Sequence, residues 1–314
     1  MPVLVIDRHH IAYDLHGPSD GPGFVLVNGL TQYADLWAHY RNALASRGYT
    51  VATFDLLGQG GSDKPIRGIS QDDQVRALAA IVDRLAPAPV YVAGISFGGY
   101  IALKYAVEAR DRIAGLVAMS TFSELSPQLT LLGACLYRGL LLGGIDYLQD
   151  LLLPMNLSDA WLGPQLDNLP AVKRQGAAIN DLFALQNLME SFIDVPPLTP
   201  ALDRISCPTL ILNGEFDFLT PRPLHDLIRR KVPRSRMAIV PQAYHAFTLE
   251  KPDLTADLMA RFADDVAAGN FFGDQTIWLA PDQVGAPYRP FPEGFDPMRA
   301  LPAKLEPGSN GENP

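Results

Sequence analysis

Cysteine is scarce: only Cys135 and Cys207 occur in 314 residues, with neither the number nor the spacing of a disulfide framework or a zinc site. Both are expected to be reduced, packed thiols. Basic charge is also short, with 25 Lys and Arg against 34 Asp and Glu, for a net charge of -9 and a pI near 5.1. That balance works against sequence-wide attraction to nucleic acid phosphates or anionic lipid heads. An unbroken membrane-length apolar run is missing too. The longest apolar region, LLGACLYRGLLLGGIDYLQDLLL at 131–153, is interrupted by Arg138, Asp146 and Asp150, which are costly at a bilayer centre. It is expected to be a buried helical segment rather than a stable membrane insertion. The opening MPVLVIDRHHIAYD alternates like a strand and has no basic stretch leading into an apolar one, so the cytoplasm is the expected compartment. No internal repeat is visible, and no cluster of ligands has metal-binding spacing. Cofactor-independent, metal-free chemistry is the expectation.

What is present is a rhythm. Short β-rich runs alternate with helical-period segments: FVLVN (24–28), DLWAHYRNALASRG (35–48), TVATFD (50–55), QDDQVRALAAIVDRLA (71–86), VYVAGI (90–95), FGGYIALKYAVEAR (97–110) and IAGLVAMS (113–120). Such alternation predicts an α/β fold with a mostly parallel central sheet flanked by helices. PVLVID and HIAYDLHG read as an antiparallel hairpin at its edge. From 121 to 200 the rhythm gives way to Leu-rich helical stretches, predicting a helical cap between two core segments, 1–120 and 201–269. The core resumes with PTLILNGEFD, PLHDLIRRKV, RMAIVPQ and KPDLTADLMARFADDVAAG. Residues 270–314 carry eight prolines together with Phe271, Phe272, Trp278, Tyr288, Phe291 and Phe295. That is too aromatic for a typical disordered tail, so most of this extension is expected to lie extended across the body, with its last residues loose.

One polar residue interrupts the most apolar part of the chain. Ser96 falls between a buried strand and a helix in Gly94-Ile95-Ser96-Phe97-Gly98, the G-x-S-x-G pattern of a nucleophile elbow. A sharp strand-to-helix turn holds the serine in strained backbone and needs near-absent side chains beside it. The bland alternative is a glycine-rich turn with a capping serine. A serine hydroxyl needs a base and a carboxylate to orient that base. Of six histidines, His9, His10 and His16 sit in the opening hairpin and His39 and His225 on helices. His245 alone occupies a loop after a late strand, facing the carboxyl ends of the strands, where open α/β sheets place their sites. Asp217 is the first choice for the acid, with Glu215 in reserve; the alternative for Asp217 is a turn-forming residue before Pro221. The oxyanion hole is expected from the Phe97 and Leu30 amides. Asn28 and Gly29 precede Leu30: Gly29 allows close backbone approach, and Asn28 suits either the site or a turn.

Taken together, FVLVNG, FDLLGQGGSDKP (54–65), GISFGG, LNGEFDFLTP (212–221) and YHAF resemble the α/β-hydrolase superfamily over roughly residues 1–268. The resemblance implies a serine enzyme that cleaves an ester or thioester through an acyl-enzyme; the glycines after Asp55 read as structural. Val27-Asn28-Gly29, QDDQV (71–75) and Asn213-Gly214-Glu215 with Asp217 and Thr220 are similar to a narrower group. It comprises the bacterial 3-hydroxyacyl transferases that make rhamnolipid and polyhydroxyalkanoate precursors, and the medium-chain polyhydroxyalkanoate depolymerases. That group usually has tryptophan where Phe97 stands, and its transferases lack the glycine found here at Gly94.

The Leu, Met and Phe residues at 125–157 and 181–195 suit an apolar acyl chain, though most must form the cap's own packing. Arg229, Arg230, Lys231, Arg234 and Arg236 form a basic cluster, better read as a solvated helix end than as a landing site for coenzyme A or an acidic carrier protein. Three rivals to hydrolysis stand: acyl transfer to a hydroxyl, another reaction on the same triad such as perhydrolysis or carbon–carbon cleavage, and a binding protein that keeps only the fold. Haloalkane dehalogenation is disfavoured because it needs a carboxylate at position 96.

Overall fold

Strands buried on both faces can only be central, and the sequence supplies six of them in parallel. The computed structural model describes residues 1–292 except Arg67, Arg110 and Asp194. Its strands are β1 (Val3–Ile6), β2 (His9–His16), β3 (Gly23–Val27), β4 (Thr50–Phe54), β5 (Val90–Ile95), β6 (Gly115–Met119), β7 (Thr209–Gly214), β8 (Ser235–Val240), β9 (Ile277–Leu279) and β10 (Arg289–Pro290). They form one sheet in the order β1-β2-β4-β3-β5-β6-β7-β8-β9-β10. The pairs from β4 through β9 are parallel, while β1, β2 and β10 join antiparallel at the two ends.

The helices are α1 (Ala38–Ala45), α2 (Gln71–Leu85), α3 (Phe97–Glu108), α4 (Pro127–Asn156), α5 (Asp159–Leu162), α6 (Leu169–Ile179), α7 (Leu182–Glu190), α8 (Arg222–Lys231), α9 (Phe247–Glu250) and α10 (Pro252–Ala267). Successive residues of a strand point to opposite faces, and the core divides accordingly. Val25, Val27 and Val92 join α2, α3 and α8 in one cluster, while Phe24, Leu26, Tyr91 and Ala93 join α1 and α10 in the other. Ser70 caps α2 by accepting the Asp73 amide, and the Asp73 carboxylate accepts the Ser70 amide in return, which fixes the helix start.

Between β6 and β7 the chain inserts α4 to α7, the helical insertion expected from the Leu-rich stretch. Its burial differs from expectation. Region 131–153 is helical but mostly uncovered: Leu136, Gly139, Leu140 and Leu148 are buried, whereas Leu142 is 85% exposed and Leu131 70%. Although long and apolar enough to cross a membrane by length and composition, α4 is broken by non-helical backbone at Gly144 (φ 70°). Cys135 lies on its exposed side, so only Cys207 is the packed thiol that was expected. Burial pushes the Cys207 thiol up to about 11.

The aromatic extension does more than lie across the body. Phe271 is buried in the second cluster, β9 pairs with β8, and the Arg222 guanidinium sits 4.5 Å from the centre of the Phe291 ring. Arg236 stacks over Phe271 and Trp278, and Arg229 bonds Asp226 and the Gln275 carbonyl. Two cations of the basic cluster therefore anchor the extension. Phe295 and the expected loose end lie outside the described residues.

Candidate active site

Only one residue separates β5 from α3. Ser96 takes that position at φ 53° and ψ −119°, a left-handed φ that costs a non-glycine residue on the order of 1–3 kcal/mol. The neighbouring glycines make the turn feasible. A Cβ on Gly94 would lie 2.3 Å from the Gly98 carbonyl oxygen, and one on Gly98 would lie 2.4 Å from those of Val27 and Asn28. Ser96 makes no side-chain cap to α3, so the capping-serine alternative fails. Its backbone is tied down on both sides: Ser96 N–H donates to the Met119 carbonyl at 2.9 Å, and Thr121 Oγ1 donates to the Ser96 carbonyl at 2.7 Å.

The loop after β3 runs beside this elbow, since a Cβ on Gly29 would come within 3.5 Å of the Ile95 carbonyl oxygen. Gly29 N–H donates to Gln32 Oε1 at 2.7 Å, and Gln59 Nε2 donates to the Gly29 carbonyl at 3.2 Å. Leu30 follows directly, and Phe97 opens α3, where first-turn amides have no intrahelical acceptor. Asn28 is different. Fully buried, it accepts from Trp37 Nε1 at 2.7 Å and donates to the Phe54 carbonyl at 3.0 Å. Both ends of its amide are engaged, which makes it a clamp between the ends of β3 and β4 rather than a site-lining group. Asp55 likewise accepts the Ala34 and Gly61 amides at 2.7 Å each, a structural tie.

Beyond β7 the two acid candidates part company. Glu215 is exposed and accepts the Gln242 amide at 2.8 Å. Asp217 is buried and lies 3.0 and 3.1 Å, through its two oxygens, from His245 Nδ1. It also accepts the Thr220 amide at 2.8 Å, the Thr220 hydroxyl at 2.9 Å and Asn213 Nδ2 at 3.3 Å. The turn-forming role and the histidine contact are thus both present. Burial works to raise the Asp217 pKa, but the His245 and His225 rings and the Thr220 amide hold the carboxyl below the ordinary carboxylate range. With Nδ1–H facing a carboxylate, Nε2 of His245 is left with the lone pair that can take a proton.

From the insertion comes Phe192, whose ring lies edge-on to Phe97 at 5.2 Å and near Tyr100 and Phe122 at 5.5 and 5.6 Å. Farther out, a polar cleft of about 580 Å³ opens between α6 and the core, lined by Tyr33, Asp35, Lys64, Gln175 and Asn180 but by neither Ser96 nor His245.

A strained serine between strand and helix, a late-strand aspartate and a histidine after the last core strand follow one another in the order of one known fold. The family model of the alpha/beta hydrolase fold matches residues 22–252. The chain belongs to the α/β-hydrolase family. The pimeloyl-[acyl-carrier protein] methyl ester esterase of Nitrosomonas europaea is 26% identical to this hydrolase over 263 residues, covering 74% of the chain and 92% of that protein. The 2-hydroxy-6-oxononadienedioate/2-hydroxy-6-oxononatrienedioate hydrolase of Klebsiella pneumoniae is 28% identical over 210 residues, 63% of the chain and 71% of that protein. Among solved structures, the enol-lactonase of Burkholderia xenovorans LB400 superposes with a TM-score of 0.73 at 21% identity, over 84% of the hydrolase and all of that chain.

Two features of the hydrolase site escaped sequence reasoning. Phe192 gave no signal beyond membership of the Leu- and Phe-rich cap. His225 reads in sequence as an ordinary helical histidine, yet it lies fully buried beside the Asp217 loop.

Proposed function

We propose that this hydrolase cleaves a carboxylic ester or thioester with an apolar acyl chain through an acyl-enzyme on Ser96. The carrying observation is the buried Asp217–His245 pair, together with a strained Ser96 whose hydroxyl does not cap the helix. In this reading Ser96 Oγ attacks the acyl carbon as His245 Nε2 takes its proton. Asp217 keeps the imidazole in the right tautomer and stabilises its charged form. The Leu30 and Phe97 amides donate to the oxyanion, and His245 returns the proton to the leaving alcohol or thiol. Water then attacks the acyl-enzyme with His245 as base, releasing the acid and restoring the serine.

Support for an apolar acyl group comes from the Phe192 ring of the insertion, packed edge-on at 5.2 Å against Phe97, the residue that follows Ser96. Each acyl CH₂ buried there would add about 0.8 kcal/mol. The ester-cleaving relative from Nitrosomonas, which acts on an acyl-carrier-protein ester by its name, points to the same bond type.

The experiment is fluorophosphonate labelling with peptide mass spectrometry, alongside turnover of p-nitrophenyl esters and acyl thioesters of increasing chain length. The adduct is expected on Ser96, and Ser96→Ala is expected to lose labelling and turnover while melting like the wild type. Undiminished turnover in Ser96→Ala would overturn the mechanism. Product analysis with an added hydroxyacyl acceptor separates hydrolysis from acyl transfer.

A further inference from the structure

The Ser96 elbow and the Asp217 loop come from distant parts of the chain, and one side chain joins them. Leaving β6, the chain makes a left-handed turn at Ser120 (φ 42°). The next amide, Thr121 N–H, donates to His225 Nε2 at 2.8 Å. Thr121 is also the residue whose hydroxyl holds the Ser96 carbonyl. From the other side, His225 Nδ1 lies 3.4 Å from the Pro221 carbonyl. Pro221 follows Thr220, whose amide and hydroxyl both bond Asp217 and whose hydroxyl lies 3.2 Å from His245 Nδ1. The imidazole is fully buried.

This geometry fixes one chemical form. An amide N–H can donate to Nε2 only if that nitrogen carries a lone pair, so the ring is neutral with its proton on Nδ1, facing a carbonyl. A lysine or a protonated imidazole would set two donors against each other. We propose that His225 is a positioning residue that locks the register between the nucleophile elbow and the acid loop. It couples Ser96 to Asp217–His245 without touching substrate. The proposal rests on the assignment of Ser96, His245 and Asp217 above.

The charged and titratable groups around the ring fit that role. Asp217 and Asp226 favour its protonation, His245 opposes it, and burial outweighs them all, drawing the pKa down to about 4. The ring therefore stays neutral through the working range of a histidine base.

Two measurements test this. In the first, His225→Leu, which deletes the acceptor, and His225→Gln, whose carbonyl can reach toward Thr121 N–H, are compared with wild type for p-nitrophenyl butyrate turnover and fluorophosphonate labelling rate. His225→Leu is expected to lower kcat and the labelling rate together by roughly tenfold to a hundredfold, with KM within about twofold and Ser96 still the labelled residue. His225→Gln is expected to recover most of the loss. Wild-type kinetics in His225→Leu would overturn the proposal while leaving the Ser96 assignment intact. Absence of a Ser96 adduct in the wild type would instead overturn the assignment itself.

The second reads the ring itself in unsubstituted protein with ¹⁵N-labelled histidine, with His225→Gln used only to assign its signal. Ring-nitrogen spectra should show the His225 ring, assigned by the signal lost in His225→Gln, as the neutral Nδ1–H tautomer from about pH 5.5 upward. A neutral Nε2–H tautomer or a charged ring there would overturn the proposal.

Discussion

The sheet and the inserted helices obey different rules. Strands β3 to β7 are buried at every residue; Ser96 and Asp217 lie just beyond the ends of β5 and β7, and His245 lies in the loop after β8. Helices α4 to α7 bury few residues, chiefly Leu136, Leu140, Leu148, Ala184, Leu185 and Leu188. They are moored by separate contacts, including Asn180 to the Thr31 carbonyl, Asn187 to the Pro65 carbonyl, the Ala246 amide to the Asn156 carbonyl, and the Phe192 ring. In the proposed mechanism the reactive groups, which must hold their geometry to a fraction of an ångström, stand on the tightly packed layer. The inserted helices, which the proposed mechanism sets against the acyl chain, form a layer that can vary at small cost to the fold.

The sharpest attack on that division is Asp217→Asn. It should lower kcat by roughly 10³- to 10⁴-fold, by leaving the His245 ring without its anionic partner, and change the melting temperature little. A small kinetic effect would mean that the sheet-borne pair is not the engine. Next is Gly98→Ala, whose Cβ meets two backbone oxygens. A loss of roughly 3 kcal/mol or more in chemical denaturation is expected, since backbone on both sides cannot give.

Acid should find the core before the cap. Between about pH 6.5 and 4 the unfolded His225 ring binds a proton that the folded ring refuses, so stability falls as pH drops through that window. This one group accounts for about 3 kcal/mol, and denaturation curves of His225→Gln should lack that part of the slope. The depressed pKa of Asp217 adds stability that is lost only at still lower pH, below its ordinary value of 3.8.

On the cap side, Phe192→Ala is expected to cost about 2 kcal/mol and to raise KM for long-chain esters more than for short ones. A loss as large as that of Gly98→Ala would erase the distinction between the layers. The smallest effect has the opposite sign. A Cβ on Gly133 in α4 meets nothing within 4 Å, so Gly133→Ala should stabilise by about 0.5–1 kcal/mol through helix propensity alone.

The parallel sheet was legible because doubly buried strands leave continuous apolar runs such as VYVAGI and TLILNG, and Ser96 because its glycines are forced by backbone approach. The preference for Asp217 over Glu215 was legible only from its place on the turn. Both stand within a few residues of the end of β7, and which one turns inward depends on the loop after β8, where the Gln242 amide takes Glu215. The uncovered face of α4 was illegible for a related reason: composition records that a helix is apolar, not which of its sides another element covers. His225 left no local trace, since its partner Thr121 lies 104 residues away and a histidine on an amphipathic helix looks ordinary in one dimension.

The aromatic extension has a consequence for solubility. Without β9, strand β8 would present a row of open amides and carbonyls able to recruit the same strand of another copy. Pairing Met237 to Ile277 and Ile239 to Leu279 turns β8 into an inner strand, and among the described residues the new border, β10, offers only Arg289 and Pro290. Proline has no amide hydrogen to give. At this end of the sheet, an approaching chain finds too short a border, with a donor missing, on which to build an aggregate.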